Sequence, residues 1–426
     1  MLGRRVVLAA LASGMLVACS SDDKGACEGV TGECVAFEAG ATEHDIQTAL
    51  VSAKPGTTFR FAAGTFTFQN ALVLDGVANV TLEGAGAETT VLDFKGQLAG
   101  SEALSATRTD GLAVRNLHVR DAKGDGIKVL GTNGVSFQHV RVTWTGANPT
   151  AHGAYGLYPV QSKQVLIEDC YVAGASDAGI YVGQSEDIVV RRNEATQNVA
   201  GIEIENSHRA DVYENNAHAN TGGILVFGLP GLQVPDVSHV RVFRNQLVEN
   251  NTANFAPKGN TVGTVPAGTG MLVMAAHDVE VFENTFTGNK TVGVSVVSYL
   301  LLDQTPDDAA FNPDSYRVYL HNNTFSQTGT APDMNNPLGA ALGALAQYLP
   351  GGRVPDHVYD GIPGANASAR LANNPMELCI GTATSFVNVN AADPDAQGNW
   401  THFSTDVAPY ACTLAPLTAV TLQQVP

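Results

Sequence analysis

The chain has 426 residues, of which 23 are basic and 41 acidic, giving a formal net charge of −18 at pH 7. An acidic surface of this size repels nucleic acid at long range, which excludes a nucleic-acid partner. An anionic polymer would need a local basic groove or a bound cation. Glycine is abundant, with 44 residues, and its spacing proves informative.

The first 18 residues have the pattern of a secretion signal. Arg4 and Arg5 precede an apolar run that ends in Leu16-Val17-Ala18-Cys19 and is too short to span a membrane in the mature protein. The sequence Leu16-Val17-Ala18-Cys19 resembles the bacterial lipobox. This resemblance implies that Cys19 becomes the lipidated first residue of a linker over 19–43. It implies a secreted lipoprotein, anchored to the outer membrane on its periplasmic or outer side and touching lipid only through that anchor.

The remaining cysteines fit an oxidising compartment. Cys27 and Cys34 bracket a short loop, and Cys379 and Cys412 lie together near the end of the chain. We predict that each pair forms a disulfide. Cys170 is predicted to be a buried free thiol.

Residues 44–95 are predicted to form a cap that leads into a solenoid. Residues 45–51 have helical periodicity, and residues 59–66 are predicted to form a strand. An amphipathic helix at this position would cover the open end of a solenoid core.

A unit of about 22 residues recurs along the middle of the chain. Each unit opens with glycine, an aliphatic residue, any residue and a second aliphatic residue, then turns into a second short strand. The opening glycines are Gly126, Gly156, Gly179, Gly201, Gly223, Gly270 and Gly293. Period-two alternation without helical periodicity predicts an all-β fold, a right-handed parallel β-helix over about 79–329.

The second strand of each unit ends in a column predicted to stack at the coil corners. Its members are Leu117, Val140, Cys170, Asn193, Asn215, Asn245, Asn284 and Asn323. Asparagine tolerates left-handed backbone, and stacked amides hydrogen-bond to one another. We interpret the column as structural. Residues 330–426 lack the repeat and are predicted to pack on the solenoid, with an apolar helix at 337–349.

The outward positions of the first strand supply the candidate functional residues. They form two columns, one of Lys128, Tyr158, Tyr181, Glu203, Leu225, Leu272 and Ser295, the other of Leu130, Val160, Gly183, Glu205, Phe227, Met274 and Val297. Tyr155 and Asp125 lie just before the same strands. The candidate catalytic residues are Lys128, Tyr155, Tyr158, Tyr181, Glu203 and Glu205.

These residue types are suited to sugar chemistry. Tyrosines offer flat surfaces and phenolic donors, and lysine can neutralise a uronate or act as a base. Glu203 and Glu205 share one face and could be an acid/base pair or candidate calcium ligands; no other cofactor is indicated. A solvated row of mixed charge that stabilises the ladder is the competing interpretation. His208, in the next turn, is interpreted as a surface residue.

The lower part of both columns is apolar and is expected to be covered. Residues 229–236 and 254–266 are insertions long enough to do this. The exposed site is therefore expected in the coils from residue 125 to residue 205.

The run of residues 153–193, with GIEIENS at 201–207, is similar to a family of bacterial parallel β-helix repeat proteins whose activity is undefined, and the capping start resembles pectate-lyase-like β-helices. Tyr155-Gly156-Leu157-Tyr158-Pro159-Val160 resembles the Tyr-Gly-Phe-Asp-Pro-His motif of alginate C5-epimerases. Tyr158 and Val160 replace that family's catalytic aspartate and histidine, so only Tyr155 carries over, as a proton donor.

Two functions follow as alternatives. One is an enzyme that binds and processes a polysaccharide as a lyase, epimerase or glycoside hydrolase on the face carrying Lys128 and Glu205. The other is a non-catalytic surface lipoprotein that binds glycan or a protein partner. The sequence leaves the oligomeric state open.

Overall fold

The computed structural model describes residues 25–302, 304, 306–365, 373–381, 385–423 and 425–426. The signal segment and Cys19 lie outside the described residues, so lipidation stays a prediction. The bounds of the described strands, in chain order, are β1 (Cys34–Phe37), β2 (Thr58–Phe61), β3 (Gly64–Thr67), β4 (Asn70–Asp75), β5 (Thr81–Gly84), β6 (Thr90–Asp93), β7 (Ala99–Thr107), β8 (Leu112–Arg115), β9 (His118–Arg120), β10 (Asp125–Leu130), β11 (Asn133–Gln138), β12 (Arg141–Thr143), β13 (Tyr155–Val160), β14 (Lys163–Glu168), β15 (Tyr171–Ala173), β16 (Ala178–Gly183), β17 (Glu186–Arg191), β18 (Glu194–Thr196), β19 (Ala200–Glu205), β20 (His208–Tyr213), β21 (Asn216–His218), β22 (Gly222–Phe227), β23 (Val237–Phe243), β24 (Gln246–Val248), β25 (Thr269–Met274), β26 (Ala276–Phe282), β27 (Thr285–Thr287), β28 (Val292–Val297), β29 (Tyr316–His321), β30 (Thr324–Ser326), β31 (His357–Tyr359), β32 (Cys379–Ile380) and β33 (Phe386–Asn388).

The strands stack into three long parallel sheets. Sheet A has the order β1-β2-β5-β8-β11-β14-β17-β20-β23-β26-β29-β32, sheet B the order β3-β6-β9-β12-β15-β18-β21-β24-β27-β30, and sheet C the order β4-β7-β10-β13-β16-β19-β22-β25-β28-β31-β33. A typical coil runs from C to A to B, as β13, β14 and β15 do. The predicted all-β parallel solenoid is therefore confirmed.

The sheets extend beyond the predicted range of 79–329. β1 to β4 precede it, and β31 to β33 follow it. The single strand predicted over 59–66 is wrong, because β2 ends at Phe61 and β3 begins at Gly64 at a coil corner. The proposed division at residue 330 stays a prediction.

Stacked glycines explain the repeat. A Cβ on Gly201 would lie 2.6 Å from the carbonyl oxygen of Gly223, and one on Gly223 would lie 2.5 Å from that of Gly270. The same close approach continues from Gly270 to Gly293. Each coil therefore rests backbone on backbone at this position, where a larger residue would force the coils apart.

The asparagine column is a continuous amide ladder. The Nδ2 of Asn193 donates to Asn215 Oδ1 at 2.9 Å, and the ladder continues through Asn245 and Asn284 to Asn323. The left-handed backbone belongs to the preceding residue, for example Arg192 with φ 54° and Glu214 with φ 56°, and not to asparagine as predicted. A second ladder, absent from the sequence predictions, joins Asn198, Asn220, Asn250 and Asn289.

Two α-helices occur in the described chain, α1 (Glu43–Val51) and α2 (Pro337–Ala346). In α1, Ile46 and Leu50 are buried in the core, while Gln47 hydrogen-bonds both backbone groups of Val73 on the edge strand β4. This caps the core and blunts a sheet edge. None of the described helices is long and apolar enough to cross a membrane.

Helix α2 is shorter than the predicted 337–349. It begins after Asn336, whose side chain accepts from Leu338 N and Gly339 N. Its buried Leu342 and Leu345 pack in an apolar cluster with Val354 and Val387 at the far end of the rod.

The end of the chain lies across sheet A. The Leu417 and Val420 N–H groups donate to the carboxylates of Glu280 and Asp211, and Ser136 donates to Pro426 O. Both predicted disulfides, Cys27–Cys34 and Cys379–Cys412, are present. The second fixes the start of this tail to strand β32.

Candidate functional site

The outer face of sheet C has the predicted columns. Strand pairing places Lys128 beside Tyr158, Tyr181 beside Glu203, and Gly183 beside Glu205. The apolar continuation pairs Leu225 with Leu272 and Leu272 with Ser295. A further outward column begins with Glu102 beside Asp125 and continues with Tyr155 beside Ala178.

Three tyrosines pack against one another on this face. The ring centroids of Tyr155 and Tyr158 are 4.6 Å apart, those of Tyr155 and Tyr181 4.5 Å, and those of Tyr158 and Tyr181 4.9 Å. A side chain on Gly183 would overlap the Tyr181 ring, so glycine is required there. The ring faces that were expected to stack on sugar are largely used within this triad.

The expectation that the whole row is exposed is wrong. Tyr181, Glu203 and Glu205 are only 4%, 1% and 7% exposed. The insertion over residues 254–266 covers the apolar columns as predicted, with Val262 and Val265 in one cluster with Leu225, Phe227 and Tyr181. It also extends over the polar row, which the sequence did not indicate.

Asp177, which was not among the predicted site residues, lies beneath the insertion over 254–266 and contacts it. It is 6% exposed, and its Oδ2 accepts from Asn260 Nδ2 at 3.2 Å and, at 3.5 Å, from the Tyr155 hydroxyl. Asp177 lies one residue before Ala178, which pairs with Tyr155 in the column that contains Glu102 and Asp125. Because Asp177 is outside that column, the repeat pattern gave no signal that identified it.

The buried carboxyls hold protons up to near neutral pH. Burial raises the pKa of Glu205 to about 7, although a hydrogen bond from Tyr181 opposes the shift. Burial likewise raises the pKa of Asp177 to about 7. Burial together with the charges of Asp177 and Glu205 raises the pKa of Glu203 well above its usual range.

The open side of the cluster is formed by Asp125, Lys128 and Tyr158. Lys128 Nζ lies 3.4 Å from Glu102 Oε1 and 5.0 Å from the centre of the Tyr158 ring. Burial raises the pKa of Asp125 to about 6, with the charge of Glu102 adding to the shift and Lys128 opposing it. Burial raises the pKa of Tyr158 to about 12. Glu102 was also absent from the sequence predictions.

Among the described residues, no group of three or more His, Cys, Asp or Glu side chains is placed to hold a metal ion. A calcium site at Glu203 and Glu205 therefore stays a prediction with no third described carboxylate or imidazole ligand.

Two other predicted residues lie away from this face. Cys170 is a buried free thiol as predicted, and burial raises its pKa to about 12. His208 is not a plain surface residue, because its Nε2 pairs with Asp236 at 2.8 Å, and Asp236 also pairs with His277.

The family model for the right-handed β-helix region matches residues 78–301, more than half of the chain, so the protein belongs to this family. No curated protein sequence matches this chain.

Several solved structures are similar to this one. The A-module of mannuronan C-5 epimerase AlgE6 from Azotobacter vinelandii is 16% identical, with 66% of this chain and 81% of that chain covered and a TM-score of 0.44. A family 28 exopolygalacturonase from Yersinia enterocolitica is 12% identical, with 70% and 75% covered and a TM-score of 0.45. An alginate lyase from a Paenibacillus strain is 16% identical, with 69% and 98% covered and a TM-score of 0.35. Similarity at this level gives no information on the activity of this chain.

Proposed function

We propose that this protein processes a polysaccharide by acid–base chemistry on the outer face of sheet C, at the rim formed by Asp125, Lys128 and Tyr158. The observation that carries the proposal is the grouping of a carboxyl, an ammonium and a phenol at the open side of this face, where Lys128 pairs in register with Tyr158 and lies 5.0 Å from its ring centre. Burial raises the pKa of the half-buried Asp125 beside them to about 6. A carboxyl in this range is partly protonated near neutral pH, so it can both take up and deliver a proton.

Each rim residue has a role that its surroundings allow. Asp125 is the proton acceptor or donor, and the Tyr158 hydroxyl, which stays protonated because its pKa is raised to about 12, is a hydrogen-bond donor to the sugar. Lys128 binds an acidic or hydroxyl group of the sugar, although Glu102 competes for its charge.

The predicted acid/base pair of Glu203 and Glu205 has a different part in this proposal. Because both side chains are buried, they do not reach a sugar laid on the rim. Their charges help to raise the pKa of the neighbouring tyrosines, with Glu205 acting on both Tyr158 and Tyr155. At the rim, the two carboxyls of Glu102 and Asp125 outnumber the single positive charge of Lys128. This favours a neutral polysaccharide, or one that places a single acidic group at Lys128.

Binding of a glycan without turnover is the second candidate. The burial of Tyr181, Glu203 and Glu205 favours it, because these residues would then serve the packing of the face and leave the rim as a binding surface.

The test is turnover of neutral and uronate polysaccharides by the wild type, Asp125→Asn and Tyr158→Phe, with reducing ends and unsaturated products both measured. Loss of a general acid or base lowers rates by about 10²–10⁴-fold. We expect a loss in that range for Asp125→Asn. Glu194→Gln, which removes an exposed carboxylate on sheet B, is the matched control and should retain full rate.

Equal rates for Asp125→Asn and the wild type would refute the acid–base role. Saturable binding with no product from any polymer would favour the second candidate.

A further inference from the structure

A cavity lies farther along sheet C, away from the rim of Asp125, Lys128 and Tyr158. Its volume is about 70 Å³, and it lies between the sheet, the insertion over 254–266, helix α2 and the segment carrying Trp400. Leu225, Leu272 and Met274 line it from the sheet, and Val262 and Leu342 line it from the cover. The walls are therefore almost wholly apolar.

Glu203 and Asp360 are the two acidic residues in this lining, and Glu203 differs from Asp360 in having an unpaired oxygen. The Glu203 side chain lines the cavity and is 1% exposed, and its Oε1 has no hydrogen-bond partner. A buried polar atom without a partner destabilises the fold, so most buried polar groups in proteins are paired. In the described chain, the other buried side-chain atoms without a partner belong to Arg115 and Arg141, away from this cavity. An apolar cavity with one unpaired carboxyl oxygen has the form of a site for an amphiphilic ligand.

The size and charge of the cavity limit the ligand. A water molecule needs about 10–15 Å³ of such volume, so 70 Å³ accommodates roughly five in a row, or a slender aliphatic chain, and is too small for a sugar ring with its hydration. None of the described lining residues is Lys, Arg or His, and Asp360 adds a second carboxyl, so an anionic head group has no partner.

An ammonium head group also fits poorly. It brings three N–H donors, whereas both carboxyl oxygens of Asp360 already accept from the N–H groups of Ser298 and Ile362. A hydroxyl group needs only one acceptor, which Glu203 Oε1 supplies.

We propose that this cavity binds a short aliphatic alcohol, of about three to five carbons, whose hydroxyl group hydrogen-bonds Glu203. This binding activity is separate from polysaccharide processing at the rim and does not depend on it. The apolar walls remove the chain from water, and the hydroxyl group gives Glu203 the partner it lacks.

The chain offers a built-in reporter. It has two tryptophans, Trp144 and Trp400, and Trp400 lines the cavity. In the full chain carrying Trp144→Phe, the emission of Trp400 is followed while 1-butanol, butyrate or butylamine is added at pH 7. We expect saturable binding of 1-butanol and at least tenfold weaker binding of the other two.

Two variants in the same background test the geometry. Glu203→Leu removes the hydrogen bond and should weaken 1-butanol binding about tenfold, which corresponds to about 1.4 kcal/mol. Because it also removes the unpaired carboxyl, it should unfold no earlier than the wild type, which shows that it is folded. Ser295→Leu fills the cavity from the sheet without touching Glu203 and should abolish binding.

Three results would overturn the proposal. They are no saturable 1-butanol binding, equal affinity of Glu203→Leu and its parent for 1-butanol, and tighter binding of butyrate or butylamine than of 1-butanol.

Discussion

Glu205 shows how burial at a single residue makes the fold sensitive to pH. Its pKa is about 7 in the folded protein and near 4.5 without burial. Between these values the folded state binds a proton that the unfolded chain has released. The contribution of Glu205 to stability is therefore greatest at low pH and falls as the pH rises toward 7. Asp177 contributes in the same direction.

Glu205→Gln should remove part of this pH dependence. The free energy of unfolding of the variant, relative to wild type, should rise steadily between about pH 4.5 and pH 7 and then level off. The measurement is urea unfolding at each pH. His277, whose pKa is raised to about 9, lowers the stability of both proteins alike at higher pH and cancels in the difference.

The exposed Glu38→Gln is the control and should give a flat difference across this range. A flat difference for Glu205→Gln as well would contradict the buried, protonated state of Glu205.

At the scale of elements, the asparagine ladder joins the coils through their corners. Asn215 donates to Val190 O and Asn245 Oδ1 and accepts from Asn193, all within the core. Asn215→Ala leaves these groups unpaired, so we expect a loss of about 2–4 kcal/mol in the free energy of unfolding. Urea unfolding measures it.

Asn216→Ala is the matched control for this change. Asn216 is the next residue, half-buried on β21 and outside the ladder. Asn216→Ala should change the free energy of unfolding by no more than about 0.5 kcal/mol, as most surface substitutions do. If Asn215→Ala and Asn216→Ala lowered the free energy of unfolding equally, the ladder would not be a special source of stability.

Features that repeat in every coil could be predicted from the sequence, and features that occur once could not. The period of Gly201 and Gly223 and the column through Asn215 recur in every coil, so short-range pattern alone indicates them. The burial of Glu203 could not be predicted, because its cover comes from single, non-repeating segments such as those of Val262 and Leu342. Asp177 was missed because it lies one position before the column of Tyr155 and Ala178, so the repeat did not point to it.

For the whole molecule, the proposed location depends on Cys19, outside the described residues. If Cys19 holds a lipid, Cys19→Ala should move the protein from the membrane fraction to the soluble fraction of the producing cell, because a buried acyl chain contributes about 0.8 kcal/mol per methylene. Immunoblotting of the two fractions measures this. Cys170→Ala changes the internal thiol and should remain with the membrane. An unchanged distribution of Cys19→Ala would place the anchor elsewhere.

The tail across sheet A sets an order of assembly. Coils can stack one after another as the chain emerges from the ribosome or a membrane pore, since each coil contacts its neighbours. Leu417 and Val420, however, contact coils that contain Asp211 and Glu280 and emerged much earlier. Until the tail arrives, these carboxylates have their side-chain partners Arg241 and His321 but lack the N–H donors of the tail. We therefore expect two stages of folding, stepwise stacking of the coils and then docking of the tail, which completes the surface of sheet A.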